Sequence, residues 1–330
     1  MRAVCVERFG GPEALTLRDA PVPVAGKGEV LVRVEVAGVN YIDVYMRNGA
    51  YAKSHTYRTP LPMMIGMEAA GTVAALGEGV QGFERGERVA YCLSRGSYAE
   101  FAAVPAWRLV KVPQGVPLED ATALMLQGLT AHYLSHSAFA LAPGRSCLVH
   151  AAAGGVGQLL TQLAKARGAT VIGTVGSAEK ARIARERGCD HVVQYRETDF
   201  RDEVMRITGG AGVDVAYDSV GKDTIDRSIR CLKRRGLCVM YGASSGQVAG
   251  ISPLDLAEAG SVFFTRPHLA DYTADAQEIG DRASELFAQY SSGRLKVALH
   301  GELELGAAAE AHRILESRGT RGKLLLRVRS

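Results

Sequence analysis

The sequence predicts an α/β protein built around a doubly wound parallel sheet. Apolar runs recur about every two dozen residues in the second half of the chain, and helix-like segments alternate with most of them, which is the rhythm of β-α units. The first run leads into a small-residue turn, the usual place of a phosphate site in this class. The predicted strands are 147–149, 170–175, 191–195, 214–220, 237–242 and 261–266.

The helices between these strands are predicted from apolar spacing and from glycines that end them. Over 155–167 apolar side chains recur at three- and four-residue intervals, and Gly168 follows as a stop. A second helix, 177–187, is closed in the same way by Gly188. Polar, helix-like segments complete the alternation at 199–208, 222–235 and 253–260.

The turn after the first strand reads His150-Ala-Ala-Ala-Gly-Gly-Val-Gly157. It is an Ala-x-Gly-x-x-Gly variant of the dinucleotide fingerprint, with Ala152, Gly154 and Gly157 at the three small positions. Small residues let backbone N–H groups and a helix N-terminus approach a pyrophosphate closely. The alternative is an α/β turn that binds no phosphate, and the six strands in register favour the dinucleotide site.

The end of the second strand indicates which dinucleotide binds. A site for NAD places an Asp or Glu about twenty residues after the glycine turn, to hold the ribose 2′-hydroxyl. Segment 174–178 contains no carboxylate, whereas Ser177 offers a hydroxyl and Lys180 a compact positive charge to a 2′-phosphate. Glu179 begins a helix, where the dipole favours an acid. Lys180 alone would be an ordinary helix lysine, but with the acid missing the pattern favours NADPH.

Composition is typical of a globular enzyme and excludes several other classes. A chain of 330 residues suggests two domains, and its net charge of +4 is dispersed, so we expect no nucleic-acid patch. No apolar run reaches membrane-spanning length, and the charged start of the chain is unlike a signal peptide. The six cysteines occur singly, which predicts reduced thiols and a cytoplasmic location.

The first part of the chain reads as a mostly β domain, with strands predicted at 3–6, 15–18, 29–36, 69–76, 88–91, 98–104 and 108–112. After residue 266 the pattern predicts a helix at 276–290, a strand, a helix at 307–316 and a last strand at 323–328. This C-terminal piece is too short to stand alone. We therefore expect it to complete the first domain.

Seven short motifs follow one another along nearly the whole chain: Gly38-Val-Asn-Tyr-Ile-Asp43, Gly66-Met-Glu-Ala-Ala-Gly71, Gly86-Glu-Arg-Val-Ala90, Leu126-Gln-Gly-Leu-Thr130, 151–157, Tyr217-Asp-Ser-Val-Gly221 and Arg318-Gly-Thr-Arg-Gly-Lys323. In these motifs the chain resembles the zinc-free quinone oxidoreductase (zeta-crystallin-like) branch of the medium-chain dehydrogenases/reductases. The resemblance implies a GroES-like catalytic domain (1–126, completed by 267–330) and a Rossmann NADPH-binding domain (127–266). It also implies a homodimer paired through the edge strand Ser261–Thr265.

The same resemblance predicts that this protein holds no metal. Zinc alcohol dehydrogenases of the superfamily place ligands near Asn40, at Met67 and near Gln127, and none of these three side chains is a zinc ligand in such sites. Without a Lewis acid an alcohol is hard to deprotonate at neutral pH. Hydride transfer from NADPH to an electron-poor quinone needs no such help, and this is the activity that we predict.

The site residues follow partly from the motifs and partly from matching positions in that family. The candidate catalytic residues are Asn40, Asp43, Tyr45, Tyr51 and Gln127, with Tyr51 as a hydrogen-bond donor to the developing quinol or as part of an aromatic wall. The candidate cofactor-binding residues are Asn40, Thr130, Tyr133, Gly154, Gly155, Val156, Gly176, Ser177, Lys180, Tyr195, Ser219, Val220, Tyr241, Gly242, Ser244 and Arg318.

Two alternatives stay open on the sequence. The same scaffold reduces activated C=C bonds of enones, alkenals or enoyl thioesters, and the sequence barely separates that chemistry from quinone reduction. The chain is otherwise a non-catalytic NADPH-binding or RNA-binding protein, against which the dispersed charge argues.

Overall fold

A computed structural model describes residues 1–328 of the chain. Its strands are β1 (Arg2–Val6), β2 (Leu15–Asp19), β3 (Glu29–Val39), β4 (Met63–Met64), β5 (Glu68–Leu76), β6 (Arg88–Cys92), β7 (Phe101–Pro105), β8 (Val110–Lys111), β9 (Ser146–Val149), β10 (Thr170–Val175), β11 (His191–Gln194), β12 (Val213–Asp218), β13 (Leu232–Met240), β14 (Phe263–Thr265), β15 (Leu299–Glu304) and β16 (Lys323–Arg327).

The α-helices are α1 (Tyr41–Arg47), α2 (Leu118–Ala123), α3 (Leu129–Tyr133), α4 (Gly155–Ala166), α5 (Ala178–Glu186), α6 (Phe200–Ile207), α7 (Ile225–Ile229), α8 (Pro253–Glu258), α9 (Ala276–Ser291) and α10 (Ala308–Glu316). Two π-helical segments, Leu124–Gly128 and Leu134–Ala138, lie next to α2 and α3. Among residues 1–328, none of the helices has the length and apolar character needed to span a bilayer.

The chain divides into two compact units. The nucleotide unit, Thr130–Tyr272, contains a six-stranded sheet in the order β11-β10-β9-β12-β13-β14. Every pair in this sheet is parallel, and the order runs outward in both directions from β9, so the predicted doubly wound sheet is confirmed. Its core includes Leu148, Ile172, Val204 and Ala216, which are almost completely buried.

The catalytic unit comprises Met1–Leu129 and the chain from Thr273 onward. Its larger sheet has the order β15-β16-β3-β5-β6-β8, and β7 also pairs with β3. A smaller sheet has the order β2-β1-β4. The last strand, β16, pairs antiparallel with β3, with Leu324 opposite Val39, and this pairing brings Lys323 beside the start of α1.

Two predicted elements in the nucleotide unit differ from the structure. The predicted helix 222–235 is wrong beyond its centre, because α7 covers only Ile225–Ile229 and β13 begins at Leu232. Arg235 takes a left-handed φ of 60° inside that strand, a bend that its polar composition does not reveal. The edge strand predicted at Ser261–Thr265 is shorter, since Ser261 has a left-handed φ of 54° and β14 begins at Phe263.

The catalytic unit also differs from the prediction. The strand predicted at 98–104 begins only at Phe101, and residue 99 makes a single bridge to β1. Helix α1 was not predicted, because seven residues carry too little periodicity to be recognised. It begins where the Asn40 backbone N–H donates to Asp43 Oδ2 at 2.9 Å.

Candidate active site

The small-residue turn forms the start of α4. Gly154 is the N-cap, in extended conformation, and Gly155 and Val156 open the helix. A Cβ at Gly157 would lie 2.3 Å from the Ala151 carbonyl oxygen, so only glycine lets the helix pack this closely on the turn. The first amides of a helix have no partner within it, and they carry the positive end of its dipole. The turn is therefore suited to a pyrophosphate.

The end of β10 brings four predicted residues together. Gly176 faces Tyr195, and a Cβ at position 176 would lie 2.7 Å from the Tyr195 hydroxyl. Ser177 caps α5, because its Oγ accepts a hydrogen bond from the Lys180 backbone N–H at 3.3 Å. The cap uses an acceptor lone pair of Ser177, and its hydroxyl hydrogen stays available to a phosphate oxygen. The sequence did not reveal this structural role of Ser177.

The loops that follow β12 and β13 meet at the carboxyl edge of the same sheet. The Ser244 backbone N–H donates to the Ser219 carbonyl oxygen at 3.1 Å. A Cβ at Gly242 would lie 2.7 Å from the same oxygen, so glycine is required for the loops to approach. The predicted residues Val220 and Tyr241 lie in these two loops and are half-buried. Ligands of doubly wound sheets bind at this edge.

Thr130 and Tyr133 lie on α3, and both are buried. The Tyr133 ring stacks on Tyr272, with ring centroids 4.3 Å apart and planes 14° from parallel. The structure therefore gives Tyr133 a packing role within the nucleotide unit, and its contact with the cofactor stays a prediction.

Beneath the nucleotide turn lies a buried polar cluster that the sequence did not reveal as a unit. Both oxygens of Asp218 accept hydrogen bonds, including from Val220 N–H at 2.8 Å and from Ser228 Oγ at 2.7 Å. His150 contacts Thr174 Oγ1 and Ser228 Oγ, each at 2.9 Å. Burial lowers the pKa of His150, so the ring is neutral. We call these residues the His150–Asp218 cluster; it fixes the loop that carries Ser219 and Val220.

In the catalytic unit, tyrosines at and after α1 form an aromatic row. The ring centroids of Tyr45 and Tyr51 lie 5.4 Å apart, edge to face, and those of Tyr51 and Tyr57 lie 5.3 Å apart, nearly stacked. Tyr41 extends the row, at 6.0 Å from Tyr45. The predicted Tyr45 and Tyr51 are thus brought together, and Tyr41 and Tyr57 were missed. Flat aromatic faces of this kind suit a planar ring.

Asn40 belongs to a buried ionic group with Glu68 and Lys323. Lys323 Nζ donates to Asn40 Oδ1 at 2.8 Å and also to Glu68 Oε2, and neither charged side chain is exposed. Asn40 Nδ2 donates to Glu68 Oε2 at 2.9 Å and to the Gly38 carbonyl oxygen at 3.3 Å. Both hydrogens of the amide are therefore used within the unit, so the remaining hydrogen-bonding capacity of the Asn40 side chain is that of an acceptor at Oδ1.

Asp43 belongs to a second buried group of hydrogen-bonded side chains, which we call the Asp43–His312 cluster. Asp43 Oδ2 accepts from Tyr98 Oη at 3.1 Å, and Tyr98 Oη lies 3.2 Å from His312 Nε2. Arg47 reaches His312 Nδ1 at 3.2 Å and binds Glu316 through two bonds of 2.9 Å. Four of these side chains are fully buried, and only Glu316 is partly exposed. Tyr98 and His312 carried no motif, so the sequence missed them.

The two remaining predicted residues of the catalytic unit are Gln127 and Arg318. Gln127 is half-buried in the π-helical segment, and its neighbour Leu126 donates its backbone N–H to Glu68 Oε1. Arg318 is exposed just beyond α10, where its φ of 58° is left-handed. At this position after a helix glycine is the usual residue, so the arginine carries a local backbone cost.

The comparisons with known proteins define the class first. The alcohol dehydrogenase GroES-like domain matches residues 26–114, and the zinc-binding dehydrogenase model matches residues 155–279. Together with the two units, these matches define a dehydrogenase with a GroES-like and a Rossmann domain, as predicted.

Full-length relatives then define the family. The chain is 41% identical over 322 residues to quinone oxidoreductase 1 of Escherichia coli, covering 97% of both chains. It is 40% identical over 328 residues to the 2-haloacrylate reductase of a Burkholderia species, covering 98% of both. The crystal structure of E. coli quinone oxidoreductase complexed with NADPH matches with a TM-score of 0.95 at 40% identity, covering 99% of this chain and 100% of that one. The chain belongs to the quinone oxidoreductase family of the medium-chain dehydrogenases/reductases.

The residues present do not fit the zinc ion that the wider family name suggests. At the expected position the oxygens of Asn40 and Glu68 already bind the buried ammonium of Lys323, and Met67 stands beside them. A catalytic zinc needs three protein ligands from thiolate, imidazole or carboxylate groups. A dinucleotide, in contrast, fits the start of α4, where the first backbone amides after the N-cap Gly154 have no partner within the helix.

Proposed function

We propose that this chain is an NADPH-dependent oxidoreductase that reduces quinones by hydride transfer without a metal ion. The observation that carries the proposal is the Asn40–Glu68–Lys323 group, in which a lysine takes the oxygens that a catalytic metal would need. Full-length similarity to quinone oxidoreductases, one of them solved with NADPH, supports both the acceptor and the cofactor.

The nucleotide unit is proposed to hold the cofactor. The amides of the turn at Gly154, Gly155 and Val156 bind the pyrophosphate, and the Ser177 hydroxyl and Lys180 bind the 2′-phosphate beside Gly176 and Tyr195. The remaining proposed contacts come from Thr130, Tyr133, Ser219, Val220, Tyr241, Gly242 and Ser244, and, from the catalytic unit, Asn40 and Arg318. When bound, NADPH supplies the hydride.

The catalytic unit is proposed to orient the quinone. Tyr45 and Tyr51 offer aromatic faces to the ring, and the Tyr51 hydroxyl donates to the oxygen on which charge develops. Asn40 accepts a hydrogen bond from a ligand hydroxyl, because its own N–H groups are used by Glu68 and Gly38. Asp43 and Gln127 complete the proposed set. Alignment of donor and acceptor supplies most of the catalysis in such a transfer.

The proposed protein partner is a second copy of this chain. Strand β14 forms one edge of the parallel sheet, and Phe263 on it is 62% exposed. An edge strand with an exposed large apolar residue is suited to pair with another strand. We propose no nucleic-acid partner, and the single cysteines favour a cytoplasmic location.

A second candidate function is reduction of an activated C=C bond. It is favoured by the 40% identity to a 2-haloacrylate reductase over nearly the whole chain. The two reactions share the hydride donor and differ in the acceptor, so only an acceptor comparison separates them.

The test is NADPH oxidation with ortho- and para-quinones, an enone, 2-chloroacrylate and, in reverse, a primary alcohol, each repeated with NADH and with a chelator. We expect quinones to be reduced with preference for NADPH and no effect of the chelator. Turnover of the enone or the haloacrylate with none of the quinones would replace the proposal with the second function. Loss of activity with the chelator would refute the metal-free mechanism.

Lys180→Ala tests the cofactor assignment in the same assay. If Lys180 pairs with the 2′-phosphate, its removal raises KM for NADPH about tenfold, a loss typical of one charge-assisted hydrogen bond, and leaves KM for NADH unchanged. Arg182→Ala is the matched control, since this exposed arginine lies on the same helix and pairs with Glu186. An unchanged preference for NADPH in Lys180→Ala would remove Lys180 from the site.

A further inference from the structure

The reduction of a quinone to a quinol by NADPH consumes one proton, so the proposed function raises the question of which group supplies it. Asp43 is fully buried, and its Oδ2 accepts from the Asn40 N–H at 2.9 Å and from Tyr98 Oη at 3.1 Å. Its other oxygen, Oδ1, has no hydrogen-bond partner among residues 1–328. A buried carboxylate oxygen without a donor is rare in folded proteins.

The Asp43–His312 cluster fixes where every hydrogen lies. A guanidinium only donates, so Arg47 must donate to His312 Nδ1, which therefore carries no hydrogen. Burial, with a smaller contribution from Arg47, lowers the pKa of His312 to about 3, so the ring is neutral. Its single hydrogen is then on Nε2 and is donated to Tyr98 Oη. The Tyr98 hydroxyl in turn donates to Asp43 Oδ2.

This arrangement holds Asp43 and does not conduct protons to it. Arg47 is anchored by Glu316, and a guanidinium offers only hydrogen-bond donors, so no proton is relayed through it into the cluster. All the hydrogens along the cluster point toward Oδ2. A proton that binds Asp43 is therefore directed to Oδ1.

The charges around Asp43 pair with one another and leave its carboxylate without a cationic partner of its own. The ionisable groups that face it are Arg47 on its own helix, Glu68 on β5, Tyr98, His312 on α10 and Lys323 on β16. Lys323 pairs with Glu68, and Arg47 pairs with Glu316, so neither cation is left over for Asp43. Burial raises the pKa of Asp43 to about 7, against the lowering effects of the Asn40 amide, Lys323 and Tyr98.

We infer that Asp43 is the acid that supplies the proton of the reaction from Oδ1, and that Tyr98 and His312 are positioning residues that keep Oδ2 occupied. In this step the Oδ1–H bond breaks and an O–H bond forms on the hydride-reduced quinone through an intervening water, because Oδ1 is itself buried, and Asp43 is left as a carboxylate. A proton from solvent restores the acid before the next turnover. The inference rests on the proposed quinone reduction.

The first experiment is the pH profile of kcat/KM for a quinone in the wild type, Asp43→Asn and Tyr98→Phe. The wild-type profile falls above pH of about 7, because the acid form is needed. Asp43→Asn loses that limb and roughly 100-fold in rate. Tyr98→Phe removes a donor that stabilises the carboxylate, so its limb moves to higher pH.

Controls separate this role from packing. Tyr91→Phe removes another fully buried tyrosine hydroxyl of the same unit, one with no hydrogen-bond partner among the described residues, and leaves the profile unchanged. His312→Leu shifts the limb in the direction of Tyr98→Phe. His312→Gln, whose amide can still donate, restores it.

The second measurement needs no turnover: the carboxyl ¹³C resonances of aspartate-labelled protein are titrated, with Asp43→Asn assigning the signal. We expect a midpoint near the wild-type kinetic limb, moved upward by Tyr98→Phe. An Asp43 midpoint near 4, or an alkaline limb that persists in Asp43→Asn, would overturn the inference even where quinones are reduced. If quinones are not reduced but Asp43 titrates as expected, the proposed function fails and the inference about the cluster's proton site stands.

Discussion

Each unit buries a cluster in which a histidine and an aspartate are linked through hydroxyl groups. The two clusters differ in whether both oxygens of the aspartate accept hydrogen bonds. In the His150–Asp218 cluster of the nucleotide unit, Asp218 Oδ1 and Oδ2 both accept hydrogen bonds, from two backbone amides and two side-chain hydroxyls. In the Asp43–His312 cluster of the catalytic unit, Asp43 Oδ2 accepts two hydrogen bonds, and Oδ1 accepts none from the residues that the structure describes.

The difference indicates which cluster has a structural role and which has a role in the reaction. A fully paired buried carboxylate holds its neighbours in place and has no remaining capacity for a ligand. A carboxylate with one unpaired oxygen carries a cost that folding alone does not require. We therefore expect substitutions in the first cluster to reduce stability, and substitutions at Asp43 to reduce activity.

The largest effect is expected beside Asp43, at the buried Lys323–Glu68 pair. Lys323→Met leaves Glu68 as an uncompensated buried charge, which destabilises by about 3–5 kcal/mol. The measurement is the free energy of unfolding in urea. Lys111→Met is the control, because Lys111 is half-exposed in its pair with Glu87 and its loss costs about 1 kcal/mol or less.

A second variant keeps this prediction open to test if the first does not fold. Lys323→Met with Glu68→Gln removes both charges, so part of the lost stability returns. Equal losses for Lys323→Met and Lys111→Met would show that the buried pair contributes no more than a surface pair.

The next effect comes from the same substitution made in both clusters, Asp218→Asn and Asp43→Asn. In Asp218→Asn the new amide would direct its N–H groups at donors, and this mismatch costs about 2–3 kcal/mol at every pH. An asparagine at position 43 resembles the protonated acid, so it costs little. These stabilities are compared by urea unfolding between pH 4 and 8.

The pH dependence has a definite sign at Asp43. Its pKa of about 7 in the folded protein lies above that of the unfolded chain, so its favourable contribution is complete below pH of about 4 and is lost as pH rises through 7. The advantage of Asp43→Asn over the wild type therefore grows across this range, on the order of a few kcal/mol. A constant difference would mean that Asp43 is ionised throughout.

The fold was predictable because local periodicity carries it. Helix α4 was predicted at 155–167 and found at Gly155–Ala166, and each of the six parallel strands overlaps its predicted range, although β13 begins five residues earlier than predicted. The helix predicted at 222–235 was wrong because β13 begins with a polar run. Such a run has no hydrophobic period that would distinguish a strand from a helix. The two π-helical segments likewise break the 3.6-residue spacing that would have revealed the helices around them.

The site was predictable only where residues lie close together in the chain. Gly176, Ser177 and Lys180 are neighbours in sequence, and a general rule for the second strand identifies them. Tyr98 and His312 lie 214 positions apart and meet only after folding. Lys323 had one usable signal, a charged residue that opens the apolar strand Lys323–Arg327, and such a residue is buried only when it has a partner.

The smallest expected effect extends the comparison from side chains to the backbone, at Arg318. If a backbone conformation that costs free energy marks a functional residue, then Arg318 keeps its left-handed φ because its side chain is needed. Arg318→Gly relieves the backbone and stabilises by about 0.5–1 kcal/mol, while the preference for NADPH over NADH falls because a phosphate partner is lost. Arg235→Gly is the matched control, since this exposed arginine has a φ of 60° and no proposed ligand. It gains similar stability with unchanged cofactor preference, and equal preference in both variants would leave Arg318 as a helix-end residue alone.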